Sequence, residues 1–144
     1  MPSPPQAPTL AQHAIRVRVY YEDTDTGGVV YYANYLKFFE RCRTELLRAR
    51  GVAQDALLQT GVGFVVRRAE VEYHVGARLD DELLITAEIV RMGGASAWFV
   101  QRATRDDTLM ASAKVQIACI DITRGRPIPM PDAIAAAFHF NVDE

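Results

Sequence analysis

The sequence predicts an α+β fold in which an antiparallel sheet of about five strands has one face covered by a single long helix. Three observations lead to this prediction. One segment alternates apolar and polar side chains before an acidic, glycine-containing stretch, and the next segment repeats its apolar residues at helical spacing. From residue 63 onward the alternation returns and persists. The order of one strand, one long helix and four strands leaves that helix to cover the sheet.

The first strand is predicted over 15–21. Ile15, Val17 and Val19 fall on one side of an extended chain, and Arg16 falls on the other. This period of two is typical of a strand that is buried on one face.

The long helix is predicted over 34–51, because apolar side chains recur at helical spacing from Tyr35 to Leu46. Asn34 is a favourable N-cap, and Gly51 is a favourable residue just beyond the last turn. Both ends of the helix are therefore marked in the sequence.

Four further strands follow, separated by turn signals such as Gly93-Gly94 and Asp106-Asp107. We expect consecutive strands to be joined as hairpins into one antiparallel meander. The final short helix should open at Pro131, a residue suited to a first helical position. The predicted ranges are 64–75, 82–91, 95–105 and 108–122 for the strands and 131–140 for the helix.

Length and charge exclude several classes of protein. A chain of 144 residues predicts one domain, which we place at 14–140 behind an extended or disordered tail over 1–13. The formal net charge of −2 argues against a nucleic-acid-binding protein. No apolar stretch is long enough to span a membrane, and the N-terminus lacks the basic start and apolar core of a signal peptide.

Cys42 and Cys119 fall within a predicted helix and a predicted strand. Neither has a second Cys or a His at ligand spacing, so we expect no metal site, and we expect no cofactor. Two core thiols suit a reducing compartment, which favours a cytoplasmic protein.

The stretch over 20–35 carries the chemistry and reads YYEDTDTGGVVYYANY. Three carboxylates, Glu22, Asp23 and Asp25, precede Gly27-Gly28, a pair that allows a sharp turn and close approach of backbone N–H groups. A carboxylate beside exposed N–H groups at the mouth of a helix can attack and polarise a carbonyl. A solvated acidic turn before a helix explains the same residues equally well.

This stretch resembles the 4-hydroxybenzoyl-CoA thioesterase branch of the hotdog-fold acyl-CoA thioesterases, and the match continues through 39–45, 64–67, 71–73 and 77–81. Within that branch the chain is most similar to the Tol–Pal-associated acyl-CoA thioesterases of Gram-negative bacteria. The resemblance covers residues 14–140. It implies an acyl-CoA thioesterase whose curled antiparallel sheet wraps around a central helix, and whose subunits form dimers that pair into tetramers.

The resemblance also implies the catalytic residues. The family's catalytic carboxylate matches Asp25, and a backbone N–H between Gly28 and Tyr32 polarises the thioester carbonyl, with Tyr32 at the aligned position. Asp25 would act as a nucleophile or as a general base on water. The Tol–Pal-associated enzymes usually carry a His where this chain has Tyr32, so an imidazole is missing while the backbone donor is kept.

Substrate contacts are expected from aromatic side chains around the acyl group and from cations and donors around the CoA phosphates. Core packing and cross-strand charge pairing explain the same side chains about equally well. The predicted substrate-binding residues are Tyr31, Tyr35, Phe64, Val65, Arg67, Arg91, Gly93 and Ser96.

Other acids are rivals of Asp25. We expect Glu22 and Asp23 to be solvated or to cap a turn, and Glu40 and Glu45 to form ion pairs within the helix. His74 should lie on the surface.

Two further functions remain open at this stage. The first is a non-catalytic partner that binds acyl thioesters or an acyl carrier protein, which would have no need of the acid in the glycine loop. The second is a dehydratase of hydroxyacyl thioesters, whose chemistry calls for a His near the helix. An acyl carrier protein is also an alternative to CoA as the carrier of the acyl group.

Oligomerisation is expected from the second face of the sheet. Val90, Trp98 and Val100 lie out of phase with the core residues. We therefore expect part of this face to be apolar and to be buried in a homodimer or tetramer.

Overall fold

The computed structural model describes residues 10–139. In chain order the elements are β1 (Gln12–Arg18), a 3₁₀ turn (Tyr21–Asp23), α1 (Asn34–Ala49), α2 (Gln54–Gln59), β2 (Val62–Tyr73), β3 (Glu82–Met92), β4 (Ser96–Arg105), β5 (Thr108–Asp121), β6 (Arg126–Pro127) and α3 (Asp132–Phe138). The predicted long helix and all five predicted strands are present.

The five long strands form one antiparallel sheet in the order β1-β3-β4-β5-β2, and the short β6 pairs with the end of β5. The buried side of α1 packs across β1, β3 and β4, so the core lies between this helix and the facing side of the sheet. The predicted α+β architecture is therefore confirmed.

The predicted meander is wrong at β2. The segments β3, β4 and β5 are joined as hairpins, with turns at the predicted Gly93-Gly94 and Asp106-Asp107. In contrast, β2 pairs with β5 and lies at the far edge of the sheet from β1. The segment 74–81 does not form a tight turn, because Ala77 is buried and its carbonyl accepts the Val30 N–H at 2.8 Å.

The ends of the elements differ from the predictions in ways that have local causes. β1 begins at Gln12 and Ala11 is buried, so residues 10–13 of the predicted tail belong to the fold, while residues 1–9 lie outside the described part. Asn34 is the first residue of α1, with Ala33 at the cap position, so the predicted N-cap is wrong. Gly51 has a φ of +82° just after α1, as predicted for a helix end.

Two short elements, α2 and β6, were not predicted, because six and two residues carry too little periodicity. The last helix ends at Phe138, and residue 140 of its predicted range lies outside the described part. No helix within residues 10–139 is long and apolar enough to cross a membrane.

A buried polar contact fixes α1 on the sheet. Gln101 of β4 is fully buried, and its amide donates to the Phe39 carbonyl at 3.0 Å. Its Oε1 accepts from the Arg43 guanidinium at 2.7 Å. These bonds set the position of α1 along β4, because shifting the helix would leave buried polar groups unpaired.

The two ends of the sheet carry different parts of the predicted site. At the Tyr73 end, β1 and β2 finish and β3 begins, with Arg18 opposite Glu82 and Tyr73 opposite Ala111. At the Gly93 end, Met92 turns toward β4 and Phe64 lies opposite Cys119. The loop from β1 to α1 leaves the sheet at the Tyr73 end.

Candidate functional site

The loop that holds Asp25 is a closed turn at the Tyr73 end. The Asp25 N–H donates to the Val29 carbonyl at 2.9 Å, and the Gly28 N–H donates to the Asp25 carbonyl at 3.0 Å. Gly28 has a φ of +83°, a conformation that favours glycine. The acidic glycine-containing stretch is thus an ordered turn.

The Asp25 side chain is exposed, and its Oδ1 accepts the Gly27 N–H at 2.9 Å. This bond holds the carboxylate over the turn, and the second oxygen makes no hydrogen bond to the described residues. The geometry suits a group that must reach a substrate on the surface of the chain.

The other acids have structural partners or face solvent. Asp23 accepts the Tyr20 N–H at 2.8 Å, which caps the 3₁₀ turn as expected. Glu40 accepts a hydrogen bond from Thr44, in place of the expected pair with a cation, and Glu45 forms an ion pair with Arg48. Glu22 is exposed.

The N–H groups between Gly28 and Tyr32, one of which was predicted to polarise the thioester carbonyl, differ in whether they are free. The Gly28 N–H is used by the turn, so the prediction of Gly28 as a carbonyl-polarising donor is wrong. The Tyr31 N–H is also used, because it donates to the Asp23 carbonyl at 2.9 Å. Within residues 10–139, the N–H groups of Tyr32 and Ala33 have no acceptor.

Tyr32 and Ala33 stand at the entrance of α1, where helical N–H groups lack partners inside the helix. Ala33 occupies the cap position and has no side-chain oxygen to satisfy them. We call these two N–H groups the entrance donors. They are available to an oxygen atom of a ligand.

Four tyrosines surround the entrance of α1. The ring centroids of Tyr31 and Tyr32 are 4.7 Å apart, and Tyr73 lies 6.1 Å from Tyr32 and 5.6 Å from Tyr35. The side chain of Tyr32 raises the pKa of Tyr31, and burial and the charge of Asp25 act in the same direction. Tyr31 is thus close enough to Asp25 to be affected by its charge, and Tyr32 lies beside Tyr31.

Tyr35 belongs to the core and not to an open pocket. It is 3% exposed, its hydroxyl accepts the Ala77 N–H at 3.4 Å, and burial raises its pKa. Core packing therefore explains Tyr35, and its contact with substrate stays a prediction.

Tyr73 and Arg78 were not predicted as site residues, although both fall within the segments that carry the family resemblance. The Tyr73 hydroxyl donates to the Tyr32 carbonyl at 3.1 Å. Nη1 of Arg78 lies 3.7 Å from the point where a Cβ on Gly28 would stand. Sequence periodicity marks Tyr73 as a strand residue and cannot show that its hydroxyl reaches the helix.

The remaining predicted contacts lie at the opposite end of the sheet. Phe64 packs on Phe138, with ring centroids 6.2 Å apart. Phe64 pairs with Cys119 of β5, and Tyr73 pairs with Ala111 of the same strand. The two ends of the sheet are therefore about 26 Å apart along β5, at about 3.3 Å per residue. Within one chain, therefore, Asp25 does not share a site with Phe64, Val65, Arg67, Arg91, Gly93 or Ser96.

The Gly93 turn is also closed. The Gly93 N–H donates to the Ser96 carbonyl at 2.8 Å, and a Cβ on Gly93 would stand 2.9 Å from the Ser96 Oγ. The Gly93 N–H is therefore used by the turn and is not free for phosphate. Arg67 and Arg91 are exposed, and Arg67 is the extra residue of a bulge in β2.

An apolar cavity of about 520 Å³ lies between α1 and β2. It begins at Leu36, one helical turn after Tyr32, and Ala69 lines the β2 side. Val66, and not the predicted Val65, faces it, since neighbouring strand residues point to opposite faces. The full lining is Leu36, Lys37, Glu40, Arg41, Arg43, Val66, Ala69 and Val115.

The thiols and possible metal ligands offer no alternative centre. Burial raises the pKa of Cys42 to about 12, so it is not a thiolate nucleophile at neutral pH. Within residues 10–139, no group of three or more His, Cys, Asp or Glu side chains could hold a metal ion.

Residues 19–138 match the model of the thioesterase-like superfamily. The chain belongs to this superfamily. The match includes the Asp25 turn, the entrance of α1 and the whole sheet from β2 onward.

Relatives and solved structures agree with this membership. The acyl-CoA thioester hydrolase YbgC of Escherichia coli O157:H7 is 50% identical over 123 residues, which cover 85% of this chain and 92% of the relative. The acyl-CoA thioesterase YbgC of Haemophilus influenzae is 46% identical over 124 residues, which cover 85% and 91%. The crystal structure named "Probable Thioesterase from Bartonella henselae" has a TM-score of 0.79 at 40% identity, covering 84% of this chain and 100% of that one.

Membership confirms two predictions. The sheet wrapped around α1 is the hotdog fold of thioesterases, and the chain is an enzyme of the thioester hydrolase class.

Proposed function

We propose that this protein hydrolyses acyl-CoA thioesters to a free acid and CoA, with Asp25 as the nucleophile or as the general base acting on water. The observation that carries the proposal is the pairing of an exposed carboxylate with the two entrance donors in one loop. The names of the E. coli and H. influenzae relatives support CoA as the carrier of the acyl group.

The entrance donors would stabilise the negative charge that develops on the thioester oxygen. Losing one such donor typically lowers kcat by about 10²–10³-fold. The N-terminus of α1 adds a favourable interaction with an anion of about 0.3–1 kcal/mol. Of the two predicted donors, Gly28 and Tyr32, the proposal keeps Tyr32, whose N–H is unused.

Asp25→Asn tests the proposal, because it keeps the shape of the side chain and removes its charge. We expect kcat for acyl-CoA to fall by about 10²–10⁴-fold, the usual contribution of a positioned acid or base. Turnover is measured as free CoA with a thiol reagent. Glu22→Gln, which neutralises an exposed acid of the same loop, is the matched control and should leave kcat unchanged. Wild-type turnover by Asp25→Asn would rule out Asp25 as the catalyst.

The α1–β2 cavity is the proposed site for the acyl group. It starts one turn beyond the proposed oxygen site, and the apolar side chains of Leu36, Val66, Ala69 and Val115 make up half of its lining residues. Its volume suits a small or medium acyl group.

A homodimer formed through β2 is part of the proposal. β2 has twelve residues but, among residues 10–139, a single neighbouring strand, β5, so its other edge can accept a second copy. Val65 and Val66 are exposed on this strand. Antiparallel pairing of two β2 edges about a two-fold axis would bring the Gly93 end of one copy beside the Tyr73 end of the other.

Such a dimer would bring the two separated groups of predicted site residues together. Asp25 and the entrance donors would come from one copy, and Phe64, Arg67 and Arg91 from the second. The tetramer stays a prediction, supported by Val90, Trp98 and Val100 on the sheet face opposite α1, where Val90 is exposed.

The position of the chain within the thioesterase-like superfamily, and its location in the cell, also stay predictions. They comprise the 4-hydroxybenzoyl-CoA branch, the similarity to Tol–Pal-associated enzymes and the cytoplasmic location, all of which rest on the sequence. A panel of aromatic and aliphatic acyl-CoA esters, with acyl carrier protein esters beside them, tests the substrate class. A preference for aliphatic esters would contradict an aromatic specificity.

A further inference from the structure

The hydroxyl of Tyr73 joins the end of β2 to the entrance of α1. It donates to the Tyr32 carbonyl at 3.1 Å, and the two residues are 41 positions apart in the chain. No step of the proposed hydrolysis uses Tyr73, and its side chain is half exposed beside the entrance donors.

The carbonyl that accepts this bond belongs to the peptide unit of Tyr32 and Ala33. In a trans peptide the C=O and N–H point in opposite directions, so holding the Tyr32 carbonyl also orients the Ala33 N–H. The helix itself holds this carbonyl weakly, because the Tyr35 N–H lies 3.4 Å from it. The preceding peptide is held better, since the Asn34 N–H donates to the Tyr31 carbonyl at 2.8 Å.

The Tyr73 ring is itself well placed to act as a fixed donor. It packs against Tyr35, which is buried, and meets the Tyr32 ring edge to face. Burial raises the pKa of Tyr73, and Tyr32 adds to this effect. The hydroxyl therefore keeps its proton and donates throughout the neutral range.

We infer that Tyr73 is a positioning residue, whose hydroxyl orients the Tyr32–Ala33 peptide so that the Ala33 N–H, one of the two entrance donors, points at the thioester oxygen. An O–H donated to a peptide carbonyl also polarises that peptide, which strengthens its N–H as a donor. This inference rests on the proposed function. It assigns Tyr73 no contact with substrate, so its effect should fall on kcat and not on KM.

Tyr73→Phe tests the inference, because it removes the hydroxyl and keeps the ring packing. We expect kcat for acyl-CoA to fall by about 10-fold, less than the loss of a whole donor, because the helix still holds the peptide loosely. We expect KM and the affinity for a non-hydrolysable acyl-CoA analogue to change by less than about 2-fold, since ground-state contacts are kept. Tyr21→Phe removes a hydroxyl from a highly exposed tyrosine nearby and is the matched control.

The outcomes separate this inference from the proposed function. If wild-type protein hydrolyses acyl-CoA and Asp25→Asn does not, the proposed function stands whatever Tyr73→Phe does. With that established, a wild-type kcat for Tyr73→Phe overturns the positioning role. A rise in KM with an unchanged kcat also overturns it, because that result indicates direct substrate contact. A parallel fall of kcat in Tyr21→Phe would indicate a general disturbance of the loop and would overturn it as well.

Discussion

At Gly76 the absence of a side chain sets the position of the loop that carries Asp25. A Cβ on Gly76 would stand 2.7 Å from Val29 Cγ1 and 3.1 Å from Val29 Cβ. Val29 is β-branched and cannot easily rotate away, and its carbonyl accepts the Asp25 N–H. A displacement of Val29 is therefore expected to displace the Asp25 turn.

Gly76→Ala should lower both activity and stability. We expect a loss of about 1–3 kcal/mol in the free energy of unfolding, as for other overpacked sites, and a lower kcat because Asp25 shifts with Val29. Denaturant unfolding and acyl-CoA turnover measure the two effects. Gly94→Ala is the matched control, since a Cβ there meets nothing within 4 Å. Equal behaviour of the two variants would contradict this coupling.

At the scale of elements, the cavity between α1 and β2 links strand register to substrate choice. The bulge at Arg67 shifts the pairing of β2 with β5, so that Val66 and Ala69 both face α1. Without the bulge one of them would point to the opposite face of the sheet. A backbone irregularity therefore shapes the proposed acyl site.

Ala69→Leu should shift the preference of the enzyme toward shorter acyl chains, because the larger side chain fills part of the cavity. We expect the ratio of kcat/KM for longer over shorter aliphatic acyl-CoA to fall by about 10-fold or more, as one or more methylene groups lose their place. A chain-length series of acyl-CoA esters measures this ratio. Val65→Leu enlarges a neighbour on the opposite face and should leave the ratio unchanged. A similar shift in both variants would argue against this cavity as the acyl site.

At the scale of the whole molecule, the proposed dimer explains why one chain separates its predicted site residues by the length of the sheet. The Tyr73 end is rich in acids, including Glu22, Asp23 and Asp80, which disfavour CoA phosphates. The Gly93 end offers Arg91, Arg124 and Arg126. At the Tyr73 end Arg18 and Arg105 are already paired with Glu82 and Asp81, so a second copy would add further cations near Asp25.

Arg91→Ala should raise KM for acyl-CoA by about 10-fold through loss of a charge-assisted hydrogen bond, and leave turnover of an acyl-pantetheine without the nucleotide unchanged. A purified mixed dimer of Arg91→Ala with Asp25→Asn locates the contact. If Arg91 acts across the interface, the working site of the mixed dimer has both native residues, and KM returns to the wild-type value. A KM as high as that of Arg91→Ala alone would place Arg91 and Asp25 on the same copy.

The sequence by itself determined the long elements, since α1 and all five long strands follow from periodicity. Gly51 and the two hairpin turns follow from local backbone preference. It also singled out the Asp25 turn, because acids beside paired glycines form a local pattern. Only the tertiary structure decided that β2 pairs with β5, that the Gly28 N–H donates to the Asp25 carbonyl, and that the Tyr73 hydroxyl reaches the entrance of α1. These features depend on contacts between residues far apart in the chain, and periodicity reports on near neighbours alone.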